Sequence, residues 1–348
     1  MQRENRFEDG FERIELNVVT GFLGAGKTTL INKLLAEGYG DAGTALLENE
    51  FGDVAIDGDL IVSEGVSVRT MATGCICCTL RGDFVTNLVD IVKTYAPTRI
   101  FVEPTGLANL ADILQLVEEA SEQVPLRLNA VITVVNAETL LPTLFVGGEF
   151  FSQQIEQARF VIISCAQLVD DEELQEVLDA VHDNHDGEVS LLCDDWSRLS
   201  AVQIMAAAEQ AWDQTEHGEG AAEFARAHEQ EHEHGHEHEH GHEHHHHDAE
   251  GRHMDEATGC ISVAFAPQKV YSQADFDSMA EALASGGLGT VFRAKGFLRG
   301  DAGAVLFEHV YGVTHASAST YAGDPKFVVI GRDLNVAGLE ELFGGELS

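Results

Sequence analysis

The stretch 14–35, IELNVVTGFLGAGKTTLINKLL, limits what this chain can fold into more than any other part of it. Residues 14–20 form an apolar run that has the length of one buried strand. Residues 21–28 follow and satisfy the pattern G-x-x-x-x-G-K-[ST], and a helical pattern then begins and ends at Gly38. This order of strand, loop and helix predicts a site for the phosphates of a nucleotide.

The residue types of this loop suit a phosphate chain. Gly21, Gly24 and Gly26 allow the backbone to curl so that successive N–H groups point at phosphate oxygens. The helix that follows presents its positive end to the same anion. Lys27 places an ammonium against the β- and γ-phosphates, and the Thr28 hydroxyl can ligate Mg²⁺. We therefore expect a nucleotide and Mg²⁺ at this loop.

Length and charge restrict the classes of function. The 348 residues are enough for two domains that each bury a core. The formal net charge of −39, from 59 acidic and 20 basic residues, argues against nucleic acid or an anionic membrane as the main partner. No apolar run reaches membrane-spanning length, and residues 1–10 lack the apolar core of a signal peptide, so we expect a cytoplasmic protein.

The chain has six cysteines, and three of them lie within residues 75–78. Because thiolates are soft ligands for Zn²⁺ or Cu⁺, Cys75, Cys77 and Cys78 are candidate ligands of a transition metal. Three thiols leave a fourth position for another side chain or for an exchanging ligand. Such an incomplete site suits a protein that passes its metal on, whereas a structural zinc site is usually closed. Buried inert cysteines and a redox pair are the alternatives.

Acidic residues follow two predicted strands. The segment 44–51 is typical of a strand that runs into a polar loop, and carboxylates such as Glu48 suit Mg²⁺ or another metal there; a solvated loop is the alternative. The segment 99–106 contains a predicted buried strand that ends in Glu103. An acid at that position, followed closely by Gly106, can hold a Mg²⁺-bound water and sense the γ-phosphate. A helix-capping carboxylate is the alternative.

The pattern of elements divides the chain into four parts. After a short tail at 1–13, strands and helices alternate from 14 to 212, which predicts an α/β domain of the P-loop NTPase type with a mainly parallel sheet flanked by helices. Residues 257–348 predict a smaller α+β domain with an antiparallel sheet. Between them, 213–256 cannot form an apolar core and indicates a disordered linker.

The linker carries a tract at 228–247 in which eleven histidines alternate mostly with glutamate. Imidazoles at this density bind Zn²⁺, Ni²⁺ or Co²⁺ weakly and reversibly. A charged spacer without metal is the alternative. The candidate weak ligands are His232, His234, His236, His238 and His240.

Several motifs together resemble one family. They are GFLGAGKTT at 21–29, ENEFG at 48–52, GCICC at 74–78 and EPTGLA at 103–108, with RAKGF at 293–297 and VVIGRDL at 328–334 in the C-terminal part. This combination resembles the P-loop GTPases that include CobW, HypB and UreG, and more narrowly the CobW-like metallochaperones. The resemblance implies coupling of GTP binding and hydrolysis to delivery of Zn²⁺, Co²⁺ or another metal to a client protein.

The resemblance also implies roles for individual residues. The catalytic residues would be Lys27, Thr28 and Glu103. The metal cargo would be bound by Cys75, Cys77 and Cys78, with Glu48 as a further ligand. The nucleotide would be bound by Gly21, Gly24, Ala25, Gly26, Lys27, Thr28, Thr29 and Gln167.

The segment expected to recognise the base departs from the family pattern. The motif N-K-x-D is expected after the strand at 160–163, where this chain has Ser164-Cys165-Ala166-Gln167. Gln167 offers one amide oxygen where the usual carboxylate accepts two hydrogen bonds from guanine, a loss of about 1–3 kcal/mol. Phosphate binding is therefore a firmer expectation than GTP selection, and ATP or relaxed base selection stays open. Asn136 likewise occupies a position where an aspartate is expected.

We expect a metal-delivering GTPase in which the nucleotide site and the cysteine site respond to each other. Its cofactors would be GTP or ATP, Mg²⁺ and Zn²⁺, with Co²⁺ or Ni²⁺ as other metals, and its partner would be a metal-dependent client protein. One alternative is a metal-storage protein with a vestigial phosphate loop. Another is an activator that inserts cobalt or a corrinoid into an enzyme. The oligomeric state is open, with a homodimer among the alternatives.

Overall fold

The computed structural model describes residues 13–50, 67–72, 81–147, 149–185, 187, 189–216, 253–255 and 260–344. These residues form two sheets, and each sheet has its own helices. The first sheet contains the strand, loop and helix that begin the chain. The second sheet belongs to the C-terminal domain.

The first sheet has seven strands, and all neighbouring strands run parallel. In chain order they are β1 (Ile14–Gly21), β2 (Thr44–Glu50), β3 (Ser67–Ala72), β4 (Arg99–Glu103), β5 (Leu126–Asn136), β6 (Phe160–Ser164) and β7 (Ser190–Cys193). Their order across the sheet is β3-β2-β4-β1-β5-β6-β7. The predicted parallel α/β sheet is thus confirmed. The central position of β1 brings the loop after it to the middle of the carboxyl edge, where ligands of such sheets bind.

Helices cover both faces of this sheet. They are α1 (Lys27–Leu34), α2 (Arg81–Tyr95), α3 (Leu110–Ser121), α4 (Leu140–Gly147), α5 (Glu149–Glu156), α6 (Asp171–Asp183) and α7 (Ala201–Glu216). Alternate residues of β1 point to opposite faces, so Val19 packs in a cluster with Leu30 of α1, and Val18 packs in a second cluster with Leu88 and Ile113. Burial on both sides explains why β1 is a nearly continuous apolar run.

Three elements of the first domain have no clear sequence signal. They are β3, at one edge of the sheet, and the helices α4 and α5 between β5 and β6. A proline and two adjacent glycines interrupt the helical pattern of 140–156, LLPTLFVGGEFFSQQIE, because both residue types are unfavourable inside helices. Pro142 lies in the first turn of α4, where its missing N–H removes no intrahelical bond.

The C-terminal sheet is antiparallel apart from one short pair. Its strands are β8 (His253–Asp255), β9 (Cys260–Phe265), β10 (Val270–Tyr271), β11 (Thr290–Gly300), β12 (Gly303–Val310), β13 (Val313–Ala318) and β14 (Lys326–Arg332). The order is β13-β12-β11-β14-β9-β8, and β10 pairs in parallel with β11. Helices α8 (Gln273–Ala284) and α9 (Val336–Phe343) contribute Phe276 and Phe343 to the cluster that also contains Phe307. The predicted α+β domain is confirmed, with β13 as an added strand of mostly small and polar residues.

Regular structure extends into both ends of 213–256, the segment predicted to be a disordered linker. Helix α7 continues to Glu216, and β8 at 253–255 pairs with β9. A helix that is already formed extends at little cost, and strand pairing is made by backbone groups, so neither end needs an apolar core of its own. The histidine tract lies outside the described residues.

The C-terminal sheet packs against the loop that follows β1. One apolar cluster contains Phe22 and Leu23 of the loop together with Phe292 of β11 and the residue after β12, Tyr311. The side chain of Val310 lies so close to the loop that a Cβ on Gly24 would overlap it. The two domains therefore share a packed interface at the predicted nucleotide site.

Candidate functional site

The loop between β1 and α1 has a backbone that favours glycine. Gly21, Gly24 and Gly26 have φ angles of 133°, 69° and 98°. A Cβ on Gly21 would also overlap the backbone of Val134 on the neighbouring strand β5. Gly26 is the N-cap of α1, and no side chain of the described residues caps that helix end. The first N–H groups of α1 are thus directed at a space where an anion can bind.

Lys27 and Thr28 link this loop to the rest of the sheet edge. The Nζ of Lys27 donates to the backbone oxygens of Gly21 at 3.1 Å and Phe22 at 2.9 Å, and the residue is only 7% exposed. The Thr28 hydroxyl donates to Oε1 of Glu103 at 2.8 Å. The first turn of α1 and the end of β4 are therefore connected.

Two acidic residues lie side by side at this edge. Glu48 on β2 and Glu103 on β4 are paired in register, and both are buried. The alternative interpretation of Glu48 as part of a solvated loop is therefore wrong, because the residue belongs to a strand inside the sheet. A capping role for Glu103 is wrong as well, because Asn109 caps the next helix, α3.

The side-chain oxygens of Thr28 and Glu103 are suitable ligands for Mg²⁺. Hydroxyl and carboxylate oxygens are the hard ligands that this ion prefers, and it also takes oxygens from bound phosphates. Thr28 and Glu103 already lie within hydrogen-bond distance of each other beside the loop. They are the residues that would hold the ion next to a nucleotide.

A cavity of about 630 Å³ opens over the loop. Its volume lies within the range of small-molecule sites in proteins. The residues predicted to bind nucleotide that line it are Gly24, Ala25, Gly26, Lys27, Thr28, Thr29 and Gln167. Gly21 lies at the end of β1, where it packs against β5 and supplies the backbone turn.

The turn after β6 forms one side of this cavity. The Ser164 hydroxyl donates to the backbone oxygen of Ala25 at 2.6 Å and so ties this turn to the phosphate loop. Cys165 has a left-handed φ of 58°. Gln167, which occupies the place of the usual base-reading carboxylate, lines the cavity beside them.

Asp195 and Trp196 line the same side and were missed by the motif search. The ring of Trp196 lies 3.6 Å from the position that a Cβ on Gly26 would take, and its Nε1 donates to the backbone oxygen of Ile163 at 2.9 Å. A hydrogen bond from the backbone N–H of Ser197 lowers the pKa of Asp195, so its carboxylate is charged at neutral pH. Their position directly after the last parallel strand is the signal that could have found them.

The contacts of Asn136 explain why an amide stands at a position where an aspartate is expected. Its amide Nδ2 donates to the backbone oxygen of Gly24 at 3.4 Å, and its Oδ1 accepts from the backbone N–H of Glu138 at 2.9 Å. An ionised aspartate could accept the second of these bonds but could not donate the first. The amide therefore holds the tip of the phosphate loop.

The opposite side of the cavity belongs to the C-terminal sheet. Lys295 Nζ lies 2.9 Å from Glu308 Oε1, and His315 Nε2 lies 3.4 Å from Oε2 of Glu138 in the first domain. Arg293 and Lys295 belong to the RAKGF motif at 293–297, which carried no expectation of a nucleotide site. The residues that form it are Arg293, Lys295, Leu306, Glu308, Val310, Val313 and His315.

The thiol in the cavity differs from the predicted metal ligands. Burial raises the pKa of Cys165, and the nearby charge of Glu138 raises it further. Because the thiolate is the form that binds metals, this thiol is a weak ligand near neutral pH.

The predicted cargo ligands Cys75, Cys77 and Cys78 lie outside the described residues, as do the five histidines of the tract. Over the described ranges, no group of three or more His, Cys, Asp and Glu side chains is arranged to hold a metal ion. Over the same ranges, none of the helices combines the length and the apolar character that are needed to cross a bilayer.

Both domains match described protein families. The family described as CobW/HypB/UreG, nucleotide-binding domain, matches residues 15–192, which is half of the chain. The chain belongs to the CobW/HypB/UreG family. The C-terminal part matches the cobalamin synthesis protein CobW C-terminal domain over residues 260–347. The family resemblance inferred from the motifs is thus confirmed.

Several relatives of this CobW/HypB/UreG member carry the names of metal chaperones. It is 34% identical over 146 residues to the zinc chaperone YeiR of Escherichia coli, over 42% of this chain and 44% of the relative. It is 28% identical over 197 residues to the zinc chaperone CobW of a Sinorhizobium species, over 49% and 55%. It is 30% identical over 168 residues to the zinc-regulated GTPase metalloprotein activator 1 of Dictyostelium discoideum, over 43% and 35%.

The chain spans about half the length of these relatives, or less. Among solved structures, it is similar to the Zn(II)-bound YjiA GTPase from E. coli, with a TM-score of 0.41 and 18% identity over 97% of this chain and all of the other.

Proposed function

We propose that this CobW/HypB/UreG member is a metal-delivering GTPase. Zn²⁺ binds at Cys75, Cys77 and Cys78, and GTP with Mg²⁺ binds at the loop 21–29. GTP hydrolysis changes the hold on the metal, which then passes to a client protein in the cytoplasm. The relatives named zinc chaperone and zinc-regulated GTPase metalloprotein activator support zinc as the cargo.

The hydrogen bond between Thr28 and Glu103 is the observation that carries the proposal. It connects the residue that would hold Mg²⁺ to the end of β4, and the paired residue on β2 is Glu48. Glu48 is the first residue of the ENEFG motif at 48–52. A change at the γ-phosphate therefore acts on two adjacent strand ends at once, as in other nucleotide switches.

Chain length supports a connection from these strand ends to the cysteines. Strand β3 ends at Ala72, which is paired with Glu50 at the end of β2. Cys75 follows three residues later, and a chain of three residues reaches at most about 11 Å. The end of β3, from which the chain leads to the cysteine motif, thus lies at the same carboxyl edge of the sheet as the phosphate loop.

The residues of the loop have separate roles in this mechanism. The Lys27 ammonium exchanges its backbone partners for oxygens of the β- and γ-phosphates. The N–H groups of the first turn of α1 hold the phosphate chain in place. Mg²⁺, when bound, supplies positive charge to the phosphates. The chain shows no arginine finger by its motifs, so we expect slow turnover that a client stimulates.

The histidine tract belongs to the same function. A tethered segment raises the effective concentration of whatever it binds near the rest of the chain. Histidines that bind Zn²⁺ weakly would therefore keep metal near the cysteines without competing for it.

Equilibrium binding of GTP and ATP to metal-free and zinc-loaded protein tests the coupling. We expect zinc to change the affinity for GTP severalfold, and we expect Cys77→Ala to abolish that change. Cys193→Ala, in β7, is the matched control and should behave like the wild type. Equal GTP affinities with and without zinc would remove the basis of the proposal. The same titrations measure how well the side of the cavity that contains Gln167 distinguishes guanine from adenine.

A release assay for inorganic phosphate separates this function from metal storage. The storage alternative requires zinc binding without hydrolysis. The intact loop geometry and the contact between Thr28 and Glu103 support hydrolysis instead. Zinc binding with phosphate release no faster than that of Lys27→Ala would favour storage.

A further inference from the structure

The C-terminal sheet presents two cations to the nucleotide cavity. Arg293 and Lys295 are two residues apart on β11, so their side chains lie on the same face of the sheet. Their partners across the strand pair are Val310 and Glu308 of β12. All four residues line the cavity that also contains Lys27.

The interface fixes these cations close to the phosphate loop. Val310 packs directly on the loop at Gly24, and it is the register partner of Arg293. Paired residues in an antiparallel sheet have Cα atoms about 4.5–5.5 Å apart. The backbone of Arg293 is therefore only one strand away from Val310, which contacts the phosphate loop.

Lys295 is unusual for a lysine because it is only 7% exposed. Its Nζ lies 2.9 Å from Glu308 Oε1. An ammonium is costly to remove from water, so lysines are rarely buried unless charge partners surround them. A buried lysine at the wall of a cavity is well placed to gain a further anionic partner from a ligand.

The overall charge makes this placement informative. The chain has 59 acidic residues and only 20 basic ones. Three of these few cations, Lys27, Arg293 and Lys295, line one cavity. The lining also contains four carboxylates, of which only Glu308 belongs to the C-terminal sheet. That side of the cavity therefore has an excess of positive charge, which suits an anionic ligand.

The geometry points to the C-terminal sheet as a second, cationic wall of the nucleotide site, where Arg293 and Lys295 bind the phosphate chain of a nucleoside triphosphate. This inference rests on the nucleotide site of the proposed function. The terminal phosphate of a triphosphate carries more charge than the diphosphate retains after hydrolysis. The two cations therefore favour the triphosphate, and the C-terminal domain responds to hydrolysis directly.

Titration of the full-length protein with fluorescent GTPγS and fluorescent GDP tests this inference. We expect the double variant Arg293→Gln, Lys295→Gln to weaken GTPγS binding about tenfold or more, since charge-assisted hydrogen bonds are the strong ones. Binding of GDP should change less than threefold. Arg299→Gln, on the same strand but half exposed and close to Asp324, is the matched control. It should bind both nucleotides like the wild type.

Glu308→Gln gives a second, independent measurement if the double variant does not fold. Removing this carboxylate lowers the negative charge in the cavity, so we expect GTPγS to bind severalfold more tightly than to the wild type. Unchanged or weaker GTPγS binding to Glu308→Gln contradicts the inference. Equal effects of the double variant on GTPγS and GDP, or no effect on either, contradict it as well.

The outcomes for this inference and for the proposed function are distinguishable. Wild-type protein that binds neither nucleotide overturns both. Wild-type protein that binds GTPγS, shows zinc coupling and is unaffected by the double variant retains the proposed function and loses the cationic wall.

Discussion

At the residue scale, the site is made of groups whose chemistry depends on their neighbours. The Thr28 hydroxyl is oriented by Glu103, and the loop carbonyl of Gly24 is held by the amide of Asn136. Trp196 is oriented by its bond to the backbone of β6. Each of these side chains is fixed before any ligand binds, which reduces the entropy lost on binding.

Removing the hydroxyl of Thr28 tests its assignment to Mg²⁺. Thr28→Ala should weaken Mg²⁺-dependent GTP binding about tenfold or more, because a bond to a charged partner contributes about 1.5–3 kcal/mol. Titrations with and without Mg²⁺ measure the effect. Thr98→Ala, whose hydroxyl donates to the backbone of Gly43, is the control. An equal loss of affinity in the absence of Mg²⁺ would argue against the role of Thr28 in holding the ion.

The two tryptophans of the chain allow a direct observation of the cavity. Trp196 lines it, whereas Trp212 is buried in an apolar cluster on α7. We expect GTP to change the tryptophan fluorescence through Trp196. Trp196→Phe should remove most of that change and Trp212→Phe should keep it. A change that survives in Trp196→Phe and vanishes in Trp212→Phe would show that the nucleotide binds elsewhere.

At the scale of elements, two different demands make the loop between β1 and α1 require glycine. Its backbone needs glycine for conformation, and its outer surface needs glycine for contact with β12. Both demands apply at Gly24, which has a φ of 69° and touches Val310. The loop is therefore specified by its own turn and by the domain that covers it.

Gly24→Ala should destabilise the protein through both demands. A left-handed residue costs about 1–2 kcal/mol, and overlap in a packed interface adds about 1–3 kcal/mol. Gly286→Ala is the matched control, because Gly286 has a φ of 77° but open space around it. Urea unfolding should thus show a larger loss for Gly24→Ala.

The second change Val310→Ala separates strain from overlap. In the Gly24→Ala background it should recover part of the lost stability by making room for the new methyl group. If Gly24→Ala and Gly286→Ala lose the same stability, the contact with β12 has no energetic weight.

At the scale of the whole molecule, the two domains act as parts of one structure. Loop residues and C-terminal residues share one apolar cluster, and His315 pairs with Glu138 across the cavity. The C-terminal sheet has a second face that packs against its own helices, and His309 is buried on β12. The stability of this domain therefore matters for the shape of the site.

Burial of His309 makes stability depend on pH. Its pKa falls to about 4 because burial disfavours the charged form. The unfolded chain binds a proton at pH values below about 6.5 and the folded protein only near pH 4, so stability is complete above pH 6.5 and falls as the pH falls. This residue should cost about 2 kcal/mol of stability between pH 8 and pH 5.

Urea unfolding at the two pH values measures this cost. His309→Asn keeps a polar atom near Thr314, the partner of Nδ1, and should lose about 2 kcal/mol less than the wild type over this interval. His182→Asn changes an exposed histidine and is the control. An identical pH dependence in His309→Asn and the wild type would contradict the burial effect.

Much of the fold could be predicted because its signals are periodic. The apolar runs of β1, β5 and β6 and the helical faces of α1 and α6 gave the parallel sheet correctly. The prediction of individual elements failed where the local sequence gave an ambiguous signal. Helix α4 contains a proline, β13 is built from small and polar residues, and β8 lies beside a histidine tract.

The sequence by itself determined the phosphate loop, because its chemistry lies in consecutive residues. Three glycines, Lys27 and Thr28 would act on one ligand from one turn of the chain, so their spacing is enough to recognise the motif. The tertiary structure alone decided that Glu48 neighbours Glu103, that Trp196 lies against the loop, and that the C-terminal sheet supplies Arg293 and Lys295. Such groups meet only when distant strands pair and apolar faces pack. No local pattern in the chain shows that they meet.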